Sequence, residues 1–82
     1  MNKNILTTWL VSYLSQLVGI SEEMIDTSKE LERYGLDSTA GAGLIGDLNE
    51  WLSIELDITT IYDYPSIDLL SDFLVEHFAV EA

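Results

Sequence analysis

Leu6, Leu10, Leu14 and Leu17 recur at intervals of three and four, with Trp9 and Tyr13 beside them. That spacing lays one apolar stripe along a helix and fits no strand. It predicts a helix over residues 4–18, closed by Gly19 as a C-terminal glycine. A second stripe gathers Ala40, Gly41, Leu44, Leu48, Trp51 and Leu52 on one face, with Ile45 at its edge. It predicts a helix over residues 38–52. A third gathers Ile67, Leu70, Phe73, Leu74 and Phe78, with Leu69 beside them, and predicts a helix over residues 66–78. Ser66 is its N-cap, and Asp68 suits the positive end of the dipole.

The remaining segments are short. Ile54, Leu56 and Ile58 alternate as a strand would, but they have no second candidate strand to pair with. An extended loop over 53–58 is expected instead. A short helix over 59–63 follows, capped by Thr59 or Thr60, and Pro65 stops it by forcing Tyr64 out of helical angles. The fold class is therefore all-α. We expect a small four-helix bundle of three longer helices and one short one, with a long loop between the first two. The ordered core should span residues 4–79, with residues 79–82 fraying.

Eighty-two residues make one small domain, which buries somewhat over ~60% of its unfolded surface. Apolar residues make up 48% of the chain, enough for a core. No cysteine is present, so disulfides and thiolate zinc sites are ruled out and any thiol must be added. Fifteen acidic side chains face three basic ones, for a formal charge of −12. Nucleic acids and anionic membranes are disfavoured partners, and basic protein surfaces are favoured. The N-terminal helix lacks a small-residue cleavage site and so is not a signal peptide. No run is long enough to span a bilayer. A cytoplasmic monomer is expected.

Residues 20–37 form a connection long enough to suggest function. Ser21 caps a turn over 21–24, with Ile20 and Ile25 as a staple. Ile25, Leu31, Tyr34 and Leu36 should pin the connection to the core. It leads into Tyr34-Gly35-Leu36-Asp37-Ser38. Gly35 permits a positive φ. Asp37 and Ser38 are both good cap types. Ser38 should open the second helix, where unpaired N–H groups and the dipole favour an attached anion such as a phosphate ester.

Three glycines in that helix, Gly41, Gly43 and Gly46, oppose it by ~3 kcal/mol in total. Gly41 suits close approach of another helix. Gly43 and Gly46 would leave a smooth outer face for a partner backbone, unless they are simply tolerated. Catalysis has little support. Serine nucleophiles need a positioned base, and the one histidine, His77, lies far along the chain in the last helix. Glu22–Asp26 and Asp57–Asp63 lack the ligand pattern of an EF-hand. Trp9 is read as a core residue.

Gly35-Leu36-Asp37-Ser38 resembles the attachment site of acyl carrier proteins. Leu48-Asn49-Glu50-Trp51-Leu52 and Tyr62-Asp63-Tyr64-Pro65-Ser66 are similar to later segments of the polyketide-type members, at fitting spacing. The resemblance covers most of residues 5–78. It implies a four-helix carrier with no catalysis of its own. It also implies a 4′-phosphopantetheine arm on Ser38, supported by Asp37 and installed from coenzyme A by a phosphopantetheinyl transferase with Mg²⁺. Acyl groups would then ride as thioesters. The implied partners are an acyl-AMP ligase or acyltransferase and a ketosynthase or other acyl-modifying enzyme with a basic docking patch. Thr39, Ala42, Gly43, Gly46, Asp47, Glu50 and Tyr62 are the candidate docking residues, with Glu55 and Asp57 in the following loop.

The chain departs from the family at Thr39, where an apolar residue is usual, and at Gly43, where many carriers have glutamate. It looks most like carriers fed fatty acyl groups by adenylate-forming ligases. Its start methionine suggests a free-standing carrier, with an excised domain as the alternative. Two other functional readings stand beside this one: a peptidyl carrier, and an acidic helical adaptor or inhibitor without a prosthetic group.

Overall fold

A computed structural model describes residues 2–78. Four α-helices follow one another: α1 (Lys3–Val18), α2 (Ser38–Leu52), α3 (Thr60–Asp63) and α4 (Ile67–Phe78). Two short 3-10 helices, Glu22–Met24 and Leu31–Tyr34, interrupt the connection between α1 and α2. No strand occurs among the described residues; a single antiparallel bridge joins Glu30 to Ser66. The all-α expectation holds. The expected fraying of 79–82 lies outside the described residues.

The helix ends are set by local chemistry. Asn2 caps α1 by accepting the Ile5 N–H, and Gly19 closes it in the left-handed conformation at φ 75°. At α4, Ser66 Oγ accepts the Leu69 N–H at 3.2 Å, as its cap position predicts. Thr59 is the N-cap of α3, one of the two expected positions, but its side chain makes no capping bond. Asp57 Oδ1 instead accepts from both the N–H and the hydroxyl of Thr59, each at 2.8 Å. These two bonds also hold the Asp57 carboxyl below the usual carboxylate range, the N–H being the larger cause. This is an Asx turn, in which the aspartate side chain satisfies the backbone N–H two residues on just ahead of the helix.

The core is built from Leu6, Leu10 and Leu14 of α1, Leu44, Ile45 and Leu48 of α2, Ile61 of α3, and Ile67, Leu70 and Leu74 of α4. Leu31 and Leu56 complete it from the connections. Burying each such side chain stabilises the fold by roughly 1.5–3 kcal/mol.

Three helical stripes are shifted from the periodic reading. Leu17 is 43% exposed, and Val18 beside it packs against the core in its place. Ile45, placed at the edge of its stripe, is only 3% exposed. On α4, Leu69 and Phe78 are exposed and Ser71 is fully buried. Thr7 Oγ1 donates to Ser71 Oγ at 3.3 Å, which is how a hydroxyl is accommodated between α1 and α4.

The expected loop over 53–58 is present and unpaired with any strand, but it opens with Ser53 in the left-handed conformation at φ 56° and turns at Ile58. One side chain satisfies both backbone groups of Leu56: Asn49 Oδ1 accepts its N–H at 2.8 Å, and Asn49 Nδ2 donates to its carbonyl at 3.1 Å. The long connection is pinned likewise. Leu31 is buried, and its N–H donates to the Pro65 carbonyl at 2.8 Å. The Asp26 N–H donates to Tyr34 Oη at 2.6 Å. The connection is thus drawn across to the α3–α4 junction, which fixes where α2 starts.

Candidate functional site

Ser38 is the first residue of α2 and is exposed. Three neighbours put it there. Gly35 takes φ 88°, a left-handed conformation that turns the chain out of the preceding 3-10 helix at low steric cost. Leu36 packs against the core. Asp37 is the N-cap, its Oδ1 accepting the Ala40 N–H at 2.8 Å. Because Asp37 does the capping, the Ser38 side chain is not needed for that task. Its hydroxyl stands at a helix origin where the first N–H groups lack intrahelical partners.

A pocket of about 380 Å³ opens directly beside it. Leu36, Gly41 and Ile61 give it an apolar wall, and Tyr62, 63% exposed on α3, stands at its side. A Cβ at Gly41 would lie 3.4 Å from Ile61 Cδ1, so α3 packs against α2 beside this glycine. The close approach expected of Gly41 is present.

The docking candidates do not form one uniform surface. Thr39, Gly43, Gly46 and Glu50 are exposed, and Ala42 is half-buried. Asp47 is exposed but engaged: its Oδ2 accepts from Tyr13 Oη of α1 at 2.7 Å. A Cβ at Gly43 would meet the same Tyr13 hydroxyl at 3.6 Å. The smooth face expected at Gly43 and Gly46 is therefore divided. Gly46 is open, whereas Gly43 lies beside the α1 tyrosine. With nothing within 4 Å of a Cβ at Gly46, Gly46→Ala should raise stability by about 0.8–1 kcal/mol, read by chemical denaturation. A partner rate left unchanged by it would remove Gly46 from the docking set.

Burial, and then the bond to Asp47, push the Tyr13 phenol up to about 12. The folded state thus holds this proton more tightly than the unfolded state does. Its contribution to stability is complete below pH 10 and is lost as pH rises through 12. Ultraviolet titration should show a tyrosine ionising near pH 12, and Tyr13→Phe should remove that late step.

Trp9 is half-buried and packs against the edge of the core. It stacks on Trp51 at 4.8 Å and on Tyr13 at 5.1 Å, forming an aromatic ladder between α1 and α2. His77 stacks on Phe73 at 4.5 Å, and its Nδ1 lies 3.2 Å from the Phe73 carbonyl. Among the described residues, no group of three or more potential metal-binding side chains converges. No helix there is long and apolar enough to cross a membrane.

Sequence reasoning missed Glu30 and Glu32, which line the pocket beside Ser38. Their placement on either side of buried Leu31 was the available signal.

The family model for the phosphopantetheine attachment site matches residues 8–74. Acyl carrier protein TtuC of Teredinibacter turnerae is 39% identical over 66 residues, covering 80% of this chain and 76% of that one. Polyketide synthase PksL of Bacillus subtilis is 28% identical over 74 residues, and the match spans only 2% of its length. Among solved structures, a free-standing peptidyl carrier protein from Acinetobacter baumannii superposes with a TM-score of 0.88 at 28% identity, covering 94% of this chain and 96% of that one. Asl1650, an acyl carrier protein from Anabaena, superposes with a TM-score of 0.87 at 29% identity, covering 93% and 86%. Matched over most of its length in both sequence and fold, this chain belongs to the phosphopantetheine-attachment family of carrier proteins.

Proposed function

We propose that the protein is an acyl carrier of polyketide or lipid-derived biosynthesis, with Ser38 as the attachment point of its 4′-phosphopantetheine arm. The observation that carries this reading is the placement of Ser38: exposed, first in α2, next to its capping aspartate and open to a pocket. The site fits the group. The phosphodiester would lie at the positive end of α2, and the first-turn N–H groups would face it. When bound, the arm supplies the thiol that this cysteine-free chain lacks, and it holds acyl groups as thioesters.

The chain's own residues do three things. Ser38 Oγ is the acceptor hydroxyl. Asp37 holds the first turn of α2, so the hydroxyl faces outward. The exposed residues Thr39, Gly46, Glu50 and Tyr62 and half-buried Ala42 meet visiting enzymes, while Gly43 and Asp47 contribute beside Tyr13. The partners in this reading are a phosphopantetheinyl transferase, an acyl-AMP ligase or acyltransferase, and a ketosynthase, all presenting basic patches to a chain of charge −12. Tethering would raise the acyl group's effective concentration at each docked active site. A cytoplasmic, monomeric, non-catalytic carrier completes the reading.

An acyl cargo is favoured by the 39% identity to a protein named as an acyl carrier. A peptidyl cargo is the second reading, favoured by the fold match to a peptidyl carrier. The test uses coenzyme A, Mg²⁺ and a broad-specificity transferase, followed by intact mass and fragment mapping. A gain of one phosphopantetheine mass on the fragment containing Ser38 is expected. A folded protein that gains nothing would leave the adaptor reading in its place. Parallel loading by acyl- and aminoacyl-adenylating enzymes separates the two cargo classes.

A further inference from the structure

The pocket beside Ser38 has a charge as well as a shape. Glu30, Glu32 and Asp37 are among its lining residues, and no lysine or arginine is. Arg33 reaches Glu30 only at 3.5 Å, and both side chains are more than half exposed. Lys29 lies over the Tyr34 ring, 4.6 Å from its centroid. The lining thus carries three acidic residues and no basic one, with Arg33 pairing Glu30 from outside it. Between them, Leu36 and Ile61 supply apolar surface. The volume, about 380 Å³, falls within the roughly 300–1,000 Å³ of small-molecule sites.

We propose that this pocket sorts cargo by charge: it shelters short uncharged acyl groups and turns away acyl groups that end in a carboxylate. The inference rests on Ser38 being the attachment point. A flexible arm returns its own acyl end to the pocket at an effective concentration on the order of millimolar. There an alkyl terminus meets Leu36 and Ile61 and loses contact with water. A terminal carboxylate would have to shed water in the same place, with Glu30 and Glu32 close by and no cation to receive it. Repulsion of this kind disfavours the docked state by roughly fivefold to tenfold.

The test compares two acyl groups of the same shape. 4-Methylpentanoyl and succinyl differ in that an isopropyl end replaces a carboxylate. Each is loaded from its coenzyme A thioester by a broad-specificity transferase, and loading is verified by intact mass. Amide spectra of the ¹⁵N-labelled protein are then compared with those of the form carrying the bare arm. The expected result is a shift of the Leu36, Gly41 and Ile61 amides with 4-methylpentanoyl and little shift with succinyl. The E30Q/E32Q variant, isosteric and away from the attachment residue, should restore docking of succinyl by about fivefold or more.

Equal shifts for both groups, no shift for either, or no response to the paired substitution would each overturn charge sorting while leaving the carrier reading intact. Failure to load either group on a folded protein would overturn the carrier reading itself, and this inference with it.

Discussion

Ser38→Ala will abolish acceptance of a phosphopantetheine arm and leave the fold unchanged. The two halves of that result come from a division of labour at the start of α2. Asp37 makes the capping bond to the Ala40 N–H, and Ser38 is exposed beside it. Removing one exposed hydroxyl should change stability by no more than about 0.5 kcal/mol, or about 4 °C in thermal midpoint for a domain of this size. Asp37→Ala should do the converse to the fold. Losing the cap costs about 1 kcal/mol, or roughly 4–8 °C. Intact mass and a thermal melt on both variants check the pair. A mass gain persisting in Ser38→Ala would move the attachment to another residue and sink the proposal.

Leu70→Ala will give the larger loss of stability. Leu70 has no solvent exposure, and it sits on α4 where that helix packs against α1. Truncation removes transfer energy and leaves a cavity, together about 2–5 kcal/mol. At roughly 0.05–0.15 kcal/mol per residue, a chain of this length has about 4–12 kcal/mol in total, so the loss is a large share of it. A midpoint lower by at least about 10 °C is expected, with partial unfolding at ambient temperature. Urea denaturation monitored by helical circular dichroism measures it. Leu69→Ala, one position along but half-exposed, is the matched control and should lose far less.

The contrast between those neighbours shows how far a linear pattern reaches. Apolar residues at helical intervals, closed by Gly19, Asp37 and Ser66, were enough for the helices and nearly all of their ends. Those signals act within one or two turns, through capping bonds and backbone angles, so they survive without any knowledge of the partner helix. Gly35 and Asp37 were readable for the same reason, and they carry Ser38 to its position.

What lay beyond the reach of local pattern was which flank of each stripe met a neighbour. On α4 residue type misleads where spacing does not: Ser71 lies four residues after Ile67 and three before Leu74, on the buried stripe, where α1 and the hydroxyl of Thr7 accommodate it, while apolar Leu69 is turned outward. The bond from Tyr13 to Asp47 joins residues 34 positions apart and turns an expected free carboxylate into a contact between helices. The pocket beside Ser38 is likewise a product of assembly. Glu30 and Glu32 come to it because Leu31 is drawn to Pro65, and Ile61 because α3 packs beside Gly41 of α2. Sequence alone set the helices and the serine at the head of one of them. Packing between distant segments set the charge and shape of the space that serine faces, since both arise from residues that touch only once the chain has closed on itself.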